Sequence, residues 1–344
     1  MPLTRRALMS TAAAASVVPA LPAPVVAQTG VGMAPSQGSQ MRSRVSTFLA
    51  TLEAPQAAAA SFAFDDPTRI GWSFMLGSRR APGLALEQMT PVQKDAALDL
   101  LDTALSARGF EKAEQIMLQQ DILRDEWGKG SADRNRERFS VMIFGTPSAT
   151  APWAWRWEGH HLSLSFTLVG DEIVSVTPSA FSSEPNTVPS GPHAGLVVLT
   201  EEEALARALY TDLSDTQRQL AVVNPNSPGN ILTTNGRETR YDGDTRGLPL
   251  AEMTTSQRDS ALRLIEVYTS EPYDGALGAA IAARTAAGID STRFIWAGAD
   301  LSGSIYYRLH SDTFLIEFAT LRNQPQHLHA VYQDVERTLG RHVI

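Results

Sequence analysis

The sequence predicts an α+β fold in which two duplicated helix-plus-antiparallel-strand halves pack around a shared core. Three observations predict it. Gly83–Leu101 (GLALEQMTPVQKDAALDLL) lines up without gaps on Gly247–Ile265 (GLPLAEMTTSQRDSALRLI), with Gly, Leu, Leu, Met, Thr, Gln, Asp, Ala, Leu and Leu recurring at equal spacing. Matches of that density mark an internal duplication. Each copy is followed by aromatic and branched residues of strand character. The connections between those stretches are too short for parallel crossovers, so antiparallel hairpins are expected.

In chain order, residues 1–27 are expected to be an export signal of the twin-arginine type. Arg5 and Arg6 precede an Ala/Val-rich apolar stretch, and small residues lead to a cleavage point after Ala27. That places the protein in the periplasm or outside the cell. Pro19, Pro22 and Pro24 interrupt the apolar run, so no stable membrane anchor is expected. Residues 28–44, rich in Gly, Ser and Gln, read as a disordered lead-in. Residues 45–344 read as one α+β domain, with repeats over about 62–170 and 237–344 and a helical pair at 200–223 between them. A 344-residue chain that is 43% hydrophobic can fill such a core.

Each repeat opens on a helix. Thr90 with Gln93, and Thr254 with Gln257, have capping-box spacing, and Pro91 suits the first helical position. Ala97, Leu98, Leu101 and Leu105 form the buried stripe of the first helix; Leu262, Ile265 and Tyr268 form that of the second. The helical pair offers two more boxes, Thr200 with Glu203 and Ser214 with Gln217. Strands are expected over Arg138–Gly145, Trp153–Gly170, Arg293–Gly298 and Ile305–Leu321. Their alternation sets Trp153, Trp155 and Trp157 on one face and Leu162, Leu164 and Phe166 on the other. Asn224–Gly247, rich in Asn, Gly and Pro, reads as loop or hairpin.

Composition narrows the chemistry. The net charge of −8 becomes more negative once Arg5 and Arg6 leave with the signal, which argues against nucleic acid or anionic lipid as a partner. Cysteine is absent, which excludes disulfides and thiolate chemistry and confines any metal to His, Asp, Glu or backbone oxygen. Seven histidines include two close pairs. His160 and His161, read as part of a strand, point to opposite faces unless Gly159 forms a bulge. His327 and His329, two apart, share a face. Two imidazoles on one strand face and a third from elsewhere make a three-histidine site for a divalent transition metal such as Zn or Cu, or for Fe. Glu317, flanked by large apolar residues, is the candidate extra ligand or general base, with Arg308 as its ion-pair partner; Glu158 stands in the same relation to Arg156. Phe181–Gly195, with three prolines, reads as a loop that shapes a site rim.

The blocks MTPVQKDAALDLL, IFGTP, WEGHHLSLSF, EPNTVPSGPHAGL, YYRLHSDTFLIEF and HLHAVYQD, with the signal ahead of them, resemble the exported family catalogued as domain of unknown function 3500. The resemblance spans nearly the whole mature chain. Its most distinctive positions are Gly159, His160, His161, His327 and His329; Gln333 stands where members often carry arginine before Asp334. It implies an exported bacterial or fungal protein and supplies no activity. The residues themselves lead to two expectations. In the first, His161, His327 and His329, with His160 beside them, hold a metal whose bound water hydrolyses a small-molecule substrate. In the second, a periplasmic binding protein stacks a sugar or cyclic ligand on Trp153, Trp155, Trp157, Tyr306 and Tyr307. The two histidine clusters are expected to meet near an approximate twofold axis.

Overall fold

The computed structural model describes residues 36–75, 82–127, 134–233, 246–298, 301 and 303–343. The expected export signal and residues 28–35 of the lead-in lie outside the described residues. In chain order the first half runs α1 (Gln37–Thr51), α2 (Ala54–Ala60), β1 (Ser61–Phe62), β2 (Leu84–Ala85), α3 (Pro91–Ala104), α4 (Ala107–Asp121), β3 (Ser140–Phe144), β4 (Pro152–Gly159), β5 (Leu162–Val169), β6 (Glu172–Ser175) and β7 (Ser179–Phe181). The second runs α5 (Glu202–Asp212), α6 (Asp215–Ala221), β8 (Val222–Asn224), β9 (Leu248–Pro249), α7 (Thr255–Thr269), α8 (Gly275–Ala287), β10 (Arg293–Ala297), β11 (Tyr306–His310), β12 (Phe314–Leu321) and β13 (Gln324–Asp334).

Local chemistry sets the helix starts. Thr90 caps α3 and Thr254 caps α7, each hydroxyl accepting from the backbone N–H three residues on while the Gln carboxamide returns to the cap. Ser214 does the same for α6. Two expectations are corrected. The lead-in does not reach residue 44, because Ser36 caps α1 and Met41, Val45 and Phe48 bury against the core. The Thr200 box does not form. Helix α5 begins a residue later, on Glu201, whose carboxylate is drawn instead to Arg108 and Arg263.

Among the described residues, thirteen strands form one mixed sheet with the path β1-β3-β4-β5-β7-β13-β12-β11-β10-β8. The short β2, β6 and β9 attach to β3, β5 and β10. The pairs β1–β3 and β8–β10 are parallel; the long central strands pair antiparallel. The tryptophans and leucines of the first hairpin share a face, contrary to the alternation read from sequence, since Trp155 pairs with Phe166 and Trp157 with Leu164. Two residues, His160 and His161, make the turn between these strands. In a hairpin closed by two residues an odd position faces an even one, so the change of phase marks the turn and not a change of face.

One face of the sheet is apolar. Trp153, Trp155, Trp157, Leu164, Phe166, Tyr307, Phe318 and Tyr332 form a single core with Met41, Leu100, Leu101, Ile116, Leu264 and Ile265 of the helices. The opposite face is a buried polar layer that includes Arg156, Glu158, Ser163, Ser165, Glu317, His329 and Gln333. Irregular chain covers it: Trp72 and Phe74 from one loop and Ile231 from another pack with Ala180, Ala319 and Val331. The histidines lie on this loop-covered face.

Candidate metal centre

The sequence places His161 at the second turn position of the β4–β5 hairpin, where its φ is +71°. That left-handed conformation is uncommon for residues with a Cβ, and histidine tolerates it better than most. It lifts the ring out of the alternation of either strand. The backbone is tied on both sides: the His161 N–H donates to Phe74 C=O at 2.9 Å, and its C=O accepts from Ser182 N–H at 2.8 Å. Gly159 is needed two residues earlier, because a Cβ there would sit 2.4 Å from the Phe139 ring.

Strand β13 brings His327 and His329 to the same place on one face, as their spacing predicts. His161 Nε2 is 2.9 Å from His327 Nε2, and His329 Nε2 is 3.1 Å from His327 Nε2. All three residues offer a nitrogen within 4.8 Å of the others. The expected convergence of the two clusters is what the structure places at the centre of the sheet.

The outer nitrogens of His329 and His327 have acceptors that fix their tautomer, whereas His161 Nδ1 is buried and meets no hydrogen-bond partner among the described residues. Nδ1–H of His329 donates to Asn230 Oδ1 at 2.7 Å, and Nδ1–H of His327 to Gln324 Oε1 at 3.1 Å. Glu184 Oε1 lies 3.5 Å from the same His327 nitrogen, and Glu184 Oε2 pairs with Arg134 at 3.3 Å. Imidazoles protonated on Nδ1 present bare lone pairs from Nε2. Lone pairs facing one another at about 3 Å repel unless a cation lies between them. Tetrahedral zinc with nitrogens at about 2.05 Å sets them roughly 3.3 Å apart, close to the two separations from His327, while the three residues together stay within 4.8 Å. The group could hold a metal ion.

Electrostatics agree. Burial holds His161 well below the usual imidazole range and His329 at about 3, with the neighbouring histidines adding to the effect. Burial therefore favours the neutral form of His161 and His329, the form that binds metal. His161 and His329 are fully enclosed, while His327 keeps 13% of its side chain exposed and forms the open edge. The edge of the Phe74 ring meets His329, 4.9 Å between centroids.

Other expected site residues sit elsewhere. His160 is not among the three converging rings. It stacks on His161 at 3.7 Å between centroids, so the two share a side of the sheet after all, and its Nδ1–H donates to Gln120 Oε1 at 2.6 Å. Glu158 is enclosed beside Arg156 at 3.6 Å and accepts from Ser73 N–H and the Ser163 hydroxyl; burial pushes its pKa up. Glu317 lies opposite Arg308 in the register, and its oxygens accept from Leu232 N–H, Thr233 N–H, the Thr233 hydroxyl and the Tyr306 hydroxyl. Neither acid belongs to the converging group. The proposed stacking platform is corrected: Trp153, Trp155, Trp157, Tyr306 and Tyr307 are all at most 3% exposed, so none of these rings is open to stack on a ligand from solvent. Sequence reasoning missed Asn230, Gln324, Gln120 and Phe74, which carry no pattern that separates them from surface amides or core aromatics. It also missed Glu184, although the loop holding it was recognised as a rim.

A family model described as "Protein of unknown function (DUF3500)" matches residues 35–340. No curated protein and no solved structure matches the chain.

Proposed function

The chain belongs to the DUF3500 family, and on that premise we propose that it is an exported metalloenzyme acting on a small molecule. A divalent transition metal, Zn or Cu, is held by His161, His327 and His329. One observation carries the reading: the Nε2 atom of His327 lies 2.9 Å from that of His161 and 3.1 Å from that of His329, while Asn230 and Gln324 accept from the Nδ1–H groups of His329 and His327. An all-nitrogen set suits Zn or Cu and disfavours Mg or Ca, which take oxygen ligands. Such an ion supplies Lewis acidity and brings the pKa of water to about 7, which suits hydrolysis. The chain's own part is to keep His161 and His329 neutral by burial and leave access at the His327 edge, with Glu184 beside it to orient that ring.

Metal analysis of tag-free protein tests this. About one Zn or Cu per chain is expected, lost in His327→Ala/His329→Ala. A trace of metal unaltered by that double substitution would sink the proposal. Hydrolysis of nitrophenyl esters, abolished by chelation and restored by zinc, is the matching activity readout. The rival reading, a binding protein without catalysis, loses its support with the burial of the aromatic platform.

Two further parts of the reading rest on sequence. Export is supported by Arg5, Arg6 and the small residues before Gln28, and a mature protein starting at Gln28 in the periplasmic or secreted fraction is expected. Duplication is supported by the matched Gly83–Leu101 and Gly247–Ile265 segments, by their identical caps, and by the same strand partners on either side of the β7–β13 pair.

A further inference from the structure

We propose that Glu317 and Glu158 are positioning residues of the histidine centre, each pinning one of the two loops that hold the imidazoles; this rests on the metal reading above. Both are enclosed acids on the loop-covered face, and each binds backbone of a different loop.

Glu317 is fully buried on β12, in register with Val331 and one alternation away from the Ala319–His329 pair. Four donors converge on its two oxygens: Leu232 N–H at 3.2 Å and Tyr306 hydroxyl at 2.6 Å on Oε1, Thr233 N–H at 2.9 Å and the Thr233 hydroxyl on Oε2. A carboxylate is acceptor-only, so it satisfies all four. Two of the donors are backbone groups two and three residues after Asn230. Asn230 Oδ1 in turn accepts from Ile231 N–H at 2.8 Å and from His329 Nδ1 at 2.7 Å. The path from Glu317 to the His329 ring therefore runs through one short, fully bonded segment.

Glu158 does the corresponding work for the other loop. Its Oε2 accepts from Ser73 N–H at 2.8 Å. The next residue, Phe74, accepts the His161 N–H through its C=O and lays its ring against His329. Ile231 of the first loop and Trp72 and Phe74 of the second share one apolar cluster, so both loops close over the centre together. Neither acid touches the converging nitrogens. Partners of this outer kind orient metal-binding histidines, and their loss lowers metal affinity by about 10- to 100-fold.

Chelator competition with zinc, together with the visible spectrum of the cobalt form, tests the inference. Glu317→Gln puts an NH2 donor among four donors and is expected to weaken zinc binding by about 10- to 100-fold and alter the cobalt bands. Asn230→Ala should do the same. The two together should lose little more than either alone, since they act through one segment. Glu158→Gln combined with Asn230→Ala should lose more than either single change. Tyr306→Phe, which removes one donor and leaves the carboxylate, is the milder companion should Glu317→Gln fail to fold, and a several-fold loss is expected from it. Wild-type protein that binds no zinc overturns the metal reading itself. Zinc bound tightly and equally by wild type, Tyr306→Phe and Asn230→Ala overturns the positioning role while leaving the metal reading intact.

Discussion

At the scale of single residues, the turn conformation of His161 decides most. With φ at +71°, this position favours Gly or Asn over residues that branch at Cβ. His161→Asn is expected to keep metal-free stability within about 1 kcal/mol of wild type while abolishing stoichiometric metal, whereas His161→Val should cost about 1–3 kcal/mol in backbone strain as well. Urea denaturation with parallel metal analysis separates the two. Gly159→Ala drives a methyl into the Phe139 ring and should destabilise by about 1–3 kcal/mol without touching the ligands. The His-x-His spacing was readable because a strand's period of two admits no other result. The Gly-His-His block is less legible, because a change of phase in the flanking apolar residues reads equally as a change of face or as a two-residue turn. Trp157 and Leu164 are cross-strand partners.

At the scale of elements, the repeated glutamines do more than cap. The Gln93 carboxamide also donates to Thr51 C=O at the end of α1, and that of Gln257 to Asp212 C=O at the end of α5. Each therefore joins the start of one helix to the finish of another. Thr90→Ala or Thr254→Ala should cost about 1 kcal/mol. Gln93→Ala or Gln257→Ala should cost about 1–3 kcal/mol, since a carbonyl in the next helix loses its donor. The capping half of this was legible in the sequence. The second half was not, because no local spacing tells which distant carbonyl a side chain will meet. Glu201 joins three helices in another way, through Arg108 of α4 and Arg263 of α7. These partners, Arg108 first, hold its pKa below the usual carboxylate range. A depressed acid contributes stability that is present above its unfolded pKa and lost as pH falls through the folded value. Glu201→Gln should therefore lower stability at pH 7 by about 1 kcal/mol or less for so exposed a group, read as a lower urea midpoint, with the difference shrinking as the medium is acidified below the carboxylate range.

At the scale of the whole molecule, the apolar face of the sheet could be foreseen from the aromatic strands. The polar face was legible only in part: Glu317 and Glu158 stand out as acids among large apolar residues, but no local pattern tells which loops close over them and Arg156. The strand order places β7 beside β13, so the first half ends where the last strand of the second begins. Chains cut at residue 199 should each expose that central edge and fail to fold alone, as circular dichroism and gel filtration of the separate pieces would show. Independent folding of either piece would contradict this. His161 belongs to one side of the pairing and His327 and His329 to the other, 166 residues apart along the chain between His161 and His327. A shared ion would therefore act as a covalent bridge does in secreted domains, clasping distant parts of a polypeptide that has no sulfur bridge of its own. Free zinc at one hundred times its dissociation constant would then add about 2.7 kcal/mol, and Tm would track the supply of metal.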